Sequence, residues 1–138
     1  GPGSGGSGLN IHEYLHTFVN DLVKVSMRPH EAKLGRYYEA GRDAPISAAY
    51  TDVFYWTCEC LVHALDHRIT VLRLSDPAIK GMVEASVDRL TGGGYVLLRP
   101  LYLALADFER SGEPLDRYLP ALFEKLPGHA PPRSPRDR

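Results

Sequence analysis

Cysteine, methionine and tryptophan are nearly absent from this sequence, with two, two and one among 138 residues. Cys58 and Cys60 stand two apart in a segment that reads as helix, where their side chains diverge by roughly 200°. At that separation the two do not easily share a metal ion or form an unstrained disulfide. The two thiols are expected reduced and buried, which points to a cytoplasmic or other reducing intracellular compartment. Also missing is any window of about eighteen uncharged apolar residues, so no membrane span is expected. The nearest approach, YVLLRPLYLALADF, is short and broken by Arg99 and Pro100. No segment alternates apolar and polar positions with β-branched residues, which argues against strands, and no repeat of solenoid period occurs.

Charge of one sign is lacking as well. The formal net charge is -1, and the Arg-rich end holds about +2 of it, leaving about -3 for the rest. A slightly acidic body lacks the basic footprint that releases counterions from nucleic acid, so that class of partner is not expected.

What remains is helix chemistry. Residues 1–8, GPGSGGSG, have no apolar side chain and read as an expression-tag remnant and linker. Residues 128–138 are rich in proline and arginine and read as a disordered tail. Residues 9–127 are then a single helical domain. Asn10 with Glu13 suggests a capping box, opening a first helix with Ile11, Leu15, Phe18, Leu22 and Val25 on its core face. Arg28-Pro29 ends that helix. A short helix is possible over residues 29–41, although Gly35 in its middle weakens it. Ser47 is the expected N-cap of a long central helix reaching about Leu74, and Ser75-Asp76-Pro77 restarts the chain with a capping Asp and a Pro at the first helical position. Ile79, Met82, Val83, Ser86, Val87 and Leu90 stripe the next helix. Gly92-Gly93-Gly94 fits no phosphate-cradling loop and reads as a flexible hinge. A helix through Leu101–Phe108 and a last one with Leu115, Leu119, Leu122, Phe123 and Leu126 inward complete the chain. The fold class is all-α, an irregular bundle of about five helices around a long central one.

Three constellations carry chemistry. CECLVHALDHR, residues 58–68, spaces Glu59, His63 and His67 four apart along one ridge, and His12 and His16 repeat the i, i+4 spacing on the first helix. Convergence of these residues would give a zinc or iron site of the helical-bundle kind, with Glu13 or Glu59 joining the pairs. HEYLH at residues 12–16 also spells the zinc-peptidase pattern. It falls in the first turns of a surface helix, where Glu13 has a competing capping role, and this speaks against a peptidase. The bland alternative leaves the histidines scattered as boundary residues.

Arg68 points into the apolar arc of the central helix and must find a carboxylate, helix-end carbonyls or water; it is expected to snorkel or to pair with a carboxylate such as Asp107 or Glu84, the functional alternative being an anionic ligand held within the bundle. Arg36, Tyr37, Tyr38 and Arg42 group residue types enriched at interface hot spots, although the tyrosines could equally pack on the core. No Ser, His and Asp arrangement identifies a nucleophile along the chain, since neighbours in sequence cannot establish one. The favoured reading is a non-enzymatic helical module, an adaptor, assembly subunit or self-associating domain, whose partner is another protein or itself and which needs no cofactor. The alternative is a metal-binding (zinc or iron) helical-bundle protein, acting as an enzyme or a sensor.

Overall fold

The computed structural model describes residues 7–130, with side chains from Tyr14 onward. Among the described residues there are six α-helices and no strands: α1 (Ser7–Ser26), α2 (Glu31–Gly41), α3 (Val53–Leu74), α4 (Pro77–Gly92), α5 (Leu98–Ser111) and α6 (Leu115–Lys125). Single 3-10 turns, Arg28–His30 and Ser47–Ala49, precede α2 and α3. The helical stretch of α1 begins inside the glycine/serine segment, and Ala130 still packs against the core beyond the expected domain end at residue 127. Residues 1–6 and 131–138, the bulk of the expected linker and tail, lie outside the described residues.

The central helix is α3, against which α1, α5, α4 and α2 all pack. At 22 residues it spans about 33 Å. Its first half, from Trp56 to Leu65, is buried on almost every side, while Leu72 and Leu74 emerge into solvent. The helix starts later than Ser47. Asp52 has the extended backbone of an N-cap, and its carboxylate accepts the Tyr55 N–H at 3.0 Å. Ser47 is instead fully buried, donating to the Gly94 carbonyl at 2.9 Å and accepting the Trp56 indole N–H at 2.7 Å. At the far end Ser75 takes a left-handed conformation, and Asp76 caps α4 through the Ala78 N–H at 2.9 Å, with Pro77 in first position as expected.

Helix α1 keeps Leu15 and, in part, Leu22 of the expected face against the core, but its buried arc is shifted. Leu15, Val19, Val23 and Ser26 are inside, whereas Phe18 is 43% and Val25 81% exposed. The buried arc is turned by roughly 70°, counting 100° per residue. Because α1 must lie against both α3 and α6, the Val19/Val23 side wins over the arc that pattern alone favours.

The glycine run is no hinge. Gly94 has φ +131°, and its carbonyl sits so close to Gly41 that a β-carbon there would come within 2.2 Å of the oxygen. Both residues are buried, and this backbone contact locks the end of α2 to the α4–α5 connection. Helix α2 also anchors the last helix. Lys33 Nζ donates to the carbonyls of Phe123, Glu124 and Leu126 at 2.9 to 3.1 Å, occupying the orphan acceptors at the end of α6.

Cys58 and Cys60 are reduced and buried. Burial, reinforced by Asp52 and Glu59, pushes the Cys58 thiol up from 9.0 to about 12. Cys60 is also raised, mainly by its burial. The folded state therefore holds protons that the unfolded chain gives up near pH 9. Stability should be constant in this respect below pH 9 and fall between pH 9 and about 12, by up to about 1.4 kcal/mol per pH unit and thiol. Urea midpoints measured across that range should decline in the wild type and decline less steeply in Cys58→Ala.

Candidate functional site

Glu59 lies on the first half of α3, between the two buried cysteines, and its side chain is 16% exposed. One turn later on the same ridge, His63 brings Nε2 to 3.2 Å from Glu59 Oε1. From α1, His16 brings its Nε2 to 2.7 Å from the other carboxylate oxygen. One carboxylate thus bridges two imidazoles from two helices, in a setting that is mostly withdrawn from water. His16 faces α3 because it sits at the edge of the buried arc of α1, next to Val19 and Val23.

A layer of aromatic residues backs this cluster. The Tyr95 ring lies 5.3 Å from the His63 ring, and the Tyr95 and Tyr50 hydroxyls share a hydrogen bond of 3.0 Å. Burial raises both phenols, with the nearby Glu59 charge acting in the same direction, so they stay neutral donors. Neither tyrosine could be assigned to the cluster from sequence, since Tyr95 enters from the loop after α4.

Of the six residues nominated for a metal, the fold brings together His16, Glu59 and His63. His67 turns away. Its Nδ1 donates to the His63 carbonyl of its own helix at 2.6 Å and its Nε2 meets Ser86 Oγ on α4 at 2.9 Å, which engages both ring nitrogens. The side chains of His12 and Glu13 lie outside the described residues. Among the described residues, no group of three or more His, Cys, Asp or Glu is arranged to hold an ion as it stands. Each imidazole is aimed at a carboxylate oxygen, a hydrogen-bonded arrangement in which at least one Nε2 carries the shared proton.

The residues nominated for partner binding divide differently. Tyr37 is fully buried and donates to the Pro127 carbonyl at 2.7 Å; Tyr38 is buried edge-on to Trp56 and donates to the Tyr50 carbonyl at 2.8 Å. Arg36 and Arg42 are exposed. Arg36 Nε donates to the Gly128 carbonyl at 3.0 Å, and Arg42 reaches Glu39 at 3.3 Å while lying 5.9 Å from the Tyr38 ring centre. Arg36, Tyr38 and Arg42 line one groove of about 650 Å³ between α2 and the start of α3, with Ala32, Gly35 and Asp52 among its other walls.

Arg68 is 15% exposed and finds Glu109 rather than Asp107 or Glu84. Its Nε and Nη2 each donate to one Glu109 oxygen at 2.6 Å, and the guanidinium lies 5.0 Å from the Tyr102 ring centre. The hydrogen bond to Glu109 is the main reason its pKa is raised further. Asp107 is exposed and engages Arg110 on its own helix. This pair joins α3 to α5.

The chain matches no family model, no curated protein and no solved structure. The functional reading therefore rests on the geometry alone.

Proposed function

We propose that this protein binds a divalent transition-metal cation, zinc or iron(II), between α1 and α3 through His16, Glu59 and His63. The observation that carries the reading is the single carboxylate held at 2.7 and 3.2 Å by imidazole nitrogens from two helices. Two nitrogens and one oxygen are a donor set suited to zinc or iron, and three protein ligands would leave a coordination position for water or a substrate. A cation would take the Nε2 positions that now meet Glu59, each neutral imidazole keeping its proton on Nδ1, and binding would be linked to the stability of the α1–α3 contact. The test is elemental analysis of protein purified without chelator or a metal-affinity column, with melting curves before and after EDTA. Near-stoichiometric metal and a chelator-lowered melting temperature are expected. Metal-free protein whose melt does not respond to added zinc or iron(II) would reject the reading.

A second reading, a protein interaction module, is favoured by the groove between α2 and α3, where three of the four nominated side chains meet. Sedimentation of the same samples over a range of concentrations tests the self-associating form. Mass that rises with concentration in the wild type but not in Arg36→Ala/Arg42→Ala would support it, and a monomer throughout would count against it.

A further inference from the structure

One turn beyond the Glu59 cluster, the contact between His67 on α3 and Ser86 on α4 has the connectivity of an activated nucleophile. His67 Nδ1 lies 2.6 Å from the His63 carbonyl oxygen, and a carbonyl can only accept, so the proton of the neutral ring is on Nδ1. The Nε2 lone pair then faces Ser86 Oγ at 2.9 Å, and the serine donates its O–H to it. A nucleophile bonded to a base, which is oriented in turn by a third group, is the recurrent arrangement of nucleophilic catalysis; here a backbone carbonyl takes the place of the orienting carboxylate. Arg89 Nη2 donates to the same Ser86 oxygen at 3.3 Å and so favours the negative charge that develops on Oγ as its proton leaves.

The pair opens on a groove of about 280 Å³ walled by Leu74, Ile79, Met82 and Val83, with Asp66 and Thr70 beside them. Leu74 and Met82 are 56% and 68% exposed, so the wall offers apolar surface that the fold leaves uncovered. The volume is at the small end of ligand pockets, roughly 300 Å³ and upward, and suits a short acyl chain. Asp66 disfavours an anionic one.

We propose that Ser86 is an acyl-accepting nucleophile, with His67 as its base, for neutral esters of short apolar acids. In the step, Ser86 Oγ forms a bond to the ester carbonyl carbon while its proton passes to His67 Nε2. The bond from that carbon to the leaving oxygen then breaks, the departing alcohol or phenol takes the proton from Nε2, and Ser86 is left O-acylated. No oxidant or further reactant is needed.

The test is incubation of the whole protein with p-nitrophenyl butyrate, following nitrophenol release and mapping the adduct by peptide mass spectrometry. A burst approaching one equivalent and a butyryl group on Ser86 are expected. His67→Asn should slow labelling by at least about 10²-fold, the usual contribution of a positioned base, with far-ultraviolet dichroism confirming that the variant is folded. Adduct mapped to lysines or other serines of the wild-type protein, or no adduct, would overturn the proposal without need of any variant. So would equal labelling rates in wild type and folded His67→Asn.

Discussion

Gly41→Ala is expected to cost about 3 kcal/mol of stability, at the upper end of what overpacking a well-filled interior costs. A methyl group there would stand 2.2 Å from the Gly94 carbonyl oxygen and 3.3 Å from Val96 Cγ1. The atom in the way is backbone, so no rotamer change can relieve the clash; α2 and the α4–α5 connection would have to separate. That separation would also disturb the buried chain in which the Trp56 indole donates to Ser47 and Ser47 to Gly94. Gly94→Ala meets the same obstacle from the other side, with Ser47 Oγ at 2.7 Å and a φ of +131° that side chains rarely adopt. Gly35→Ala supplies the contrast. Nothing lies within 4 Å of a β-carbon at that position in α2, so the change should stabilise by about 0.5 to 1 kcal/mol through helix propensity alone. Urea titrations followed by the fluorescence of the single tryptophan should rank the proteins Gly35→Ala, wild type, then the other two. An unchanged midpoint for Gly41→Ala would mean that the two backbones are not in contact.

Arg68→Ala is the second large loss, about 2 to 3 kcal/mol. Removing one member of a desolvated ion pair strands the other, and Glu109 keeps only 21% of its side-chain exposure. Residual solvent at both partners holds the cost below that of a fully buried pair. Glu109→Ala should cost less, because the long Arg68 side chain can lean on the Tyr102 ring and extend its guanidinium toward water. Replacing both residues together, as Arg68→Met/Glu109→Leu, should recover most of the loss, since an apolar pair of similar volume removes the stranded charge along with the bond. A double-mutant cycle in urea reads all of this. A near-zero coupling energy would assign the pair to the solvated surface.

The features that sequence reasoning reached are those written in local chemistry. Ser75-Asp76-Pro77 names its own helix start, because both the capping carboxylate and the missing proline N–H act within three residues. The all-helical class and the inward set Leu115, Leu119, Leu122, Phe123 and Leu126 follow from periodicity, and all five are buried. Where two local signals compete, tertiary contact decides. Both Ser47 and Asp52 can cap α3, and Ser47 is claimed by Trp56 and Gly94, leaving the cap to Asp52. The burial of Val19 and Val23 over Phe18 and Val25 has the same origin, since α1 answers to α3 and α6 at once.

The candidate site was half legible. Glu59 and His63 announce themselves by their spacing on one ridge. That His16 joins them and His67 leaves for Ser86 depends on how helices distant in sequence lie against α3, and no pattern along the chain records that. The same limit hid Tyr95 beside His63 and Lys33 beneath the end of α6.

Zinc titration of metal-stripped protein by calorimetry is the most direct measurement. Binding at one ion per chain, abolished in folded Glu59→Gln and in His63→Asn, is the predicted result. Absence of binding heat, or binding that both variants retain at full strength, would contradict a metal site at His16, Glu59 and His63.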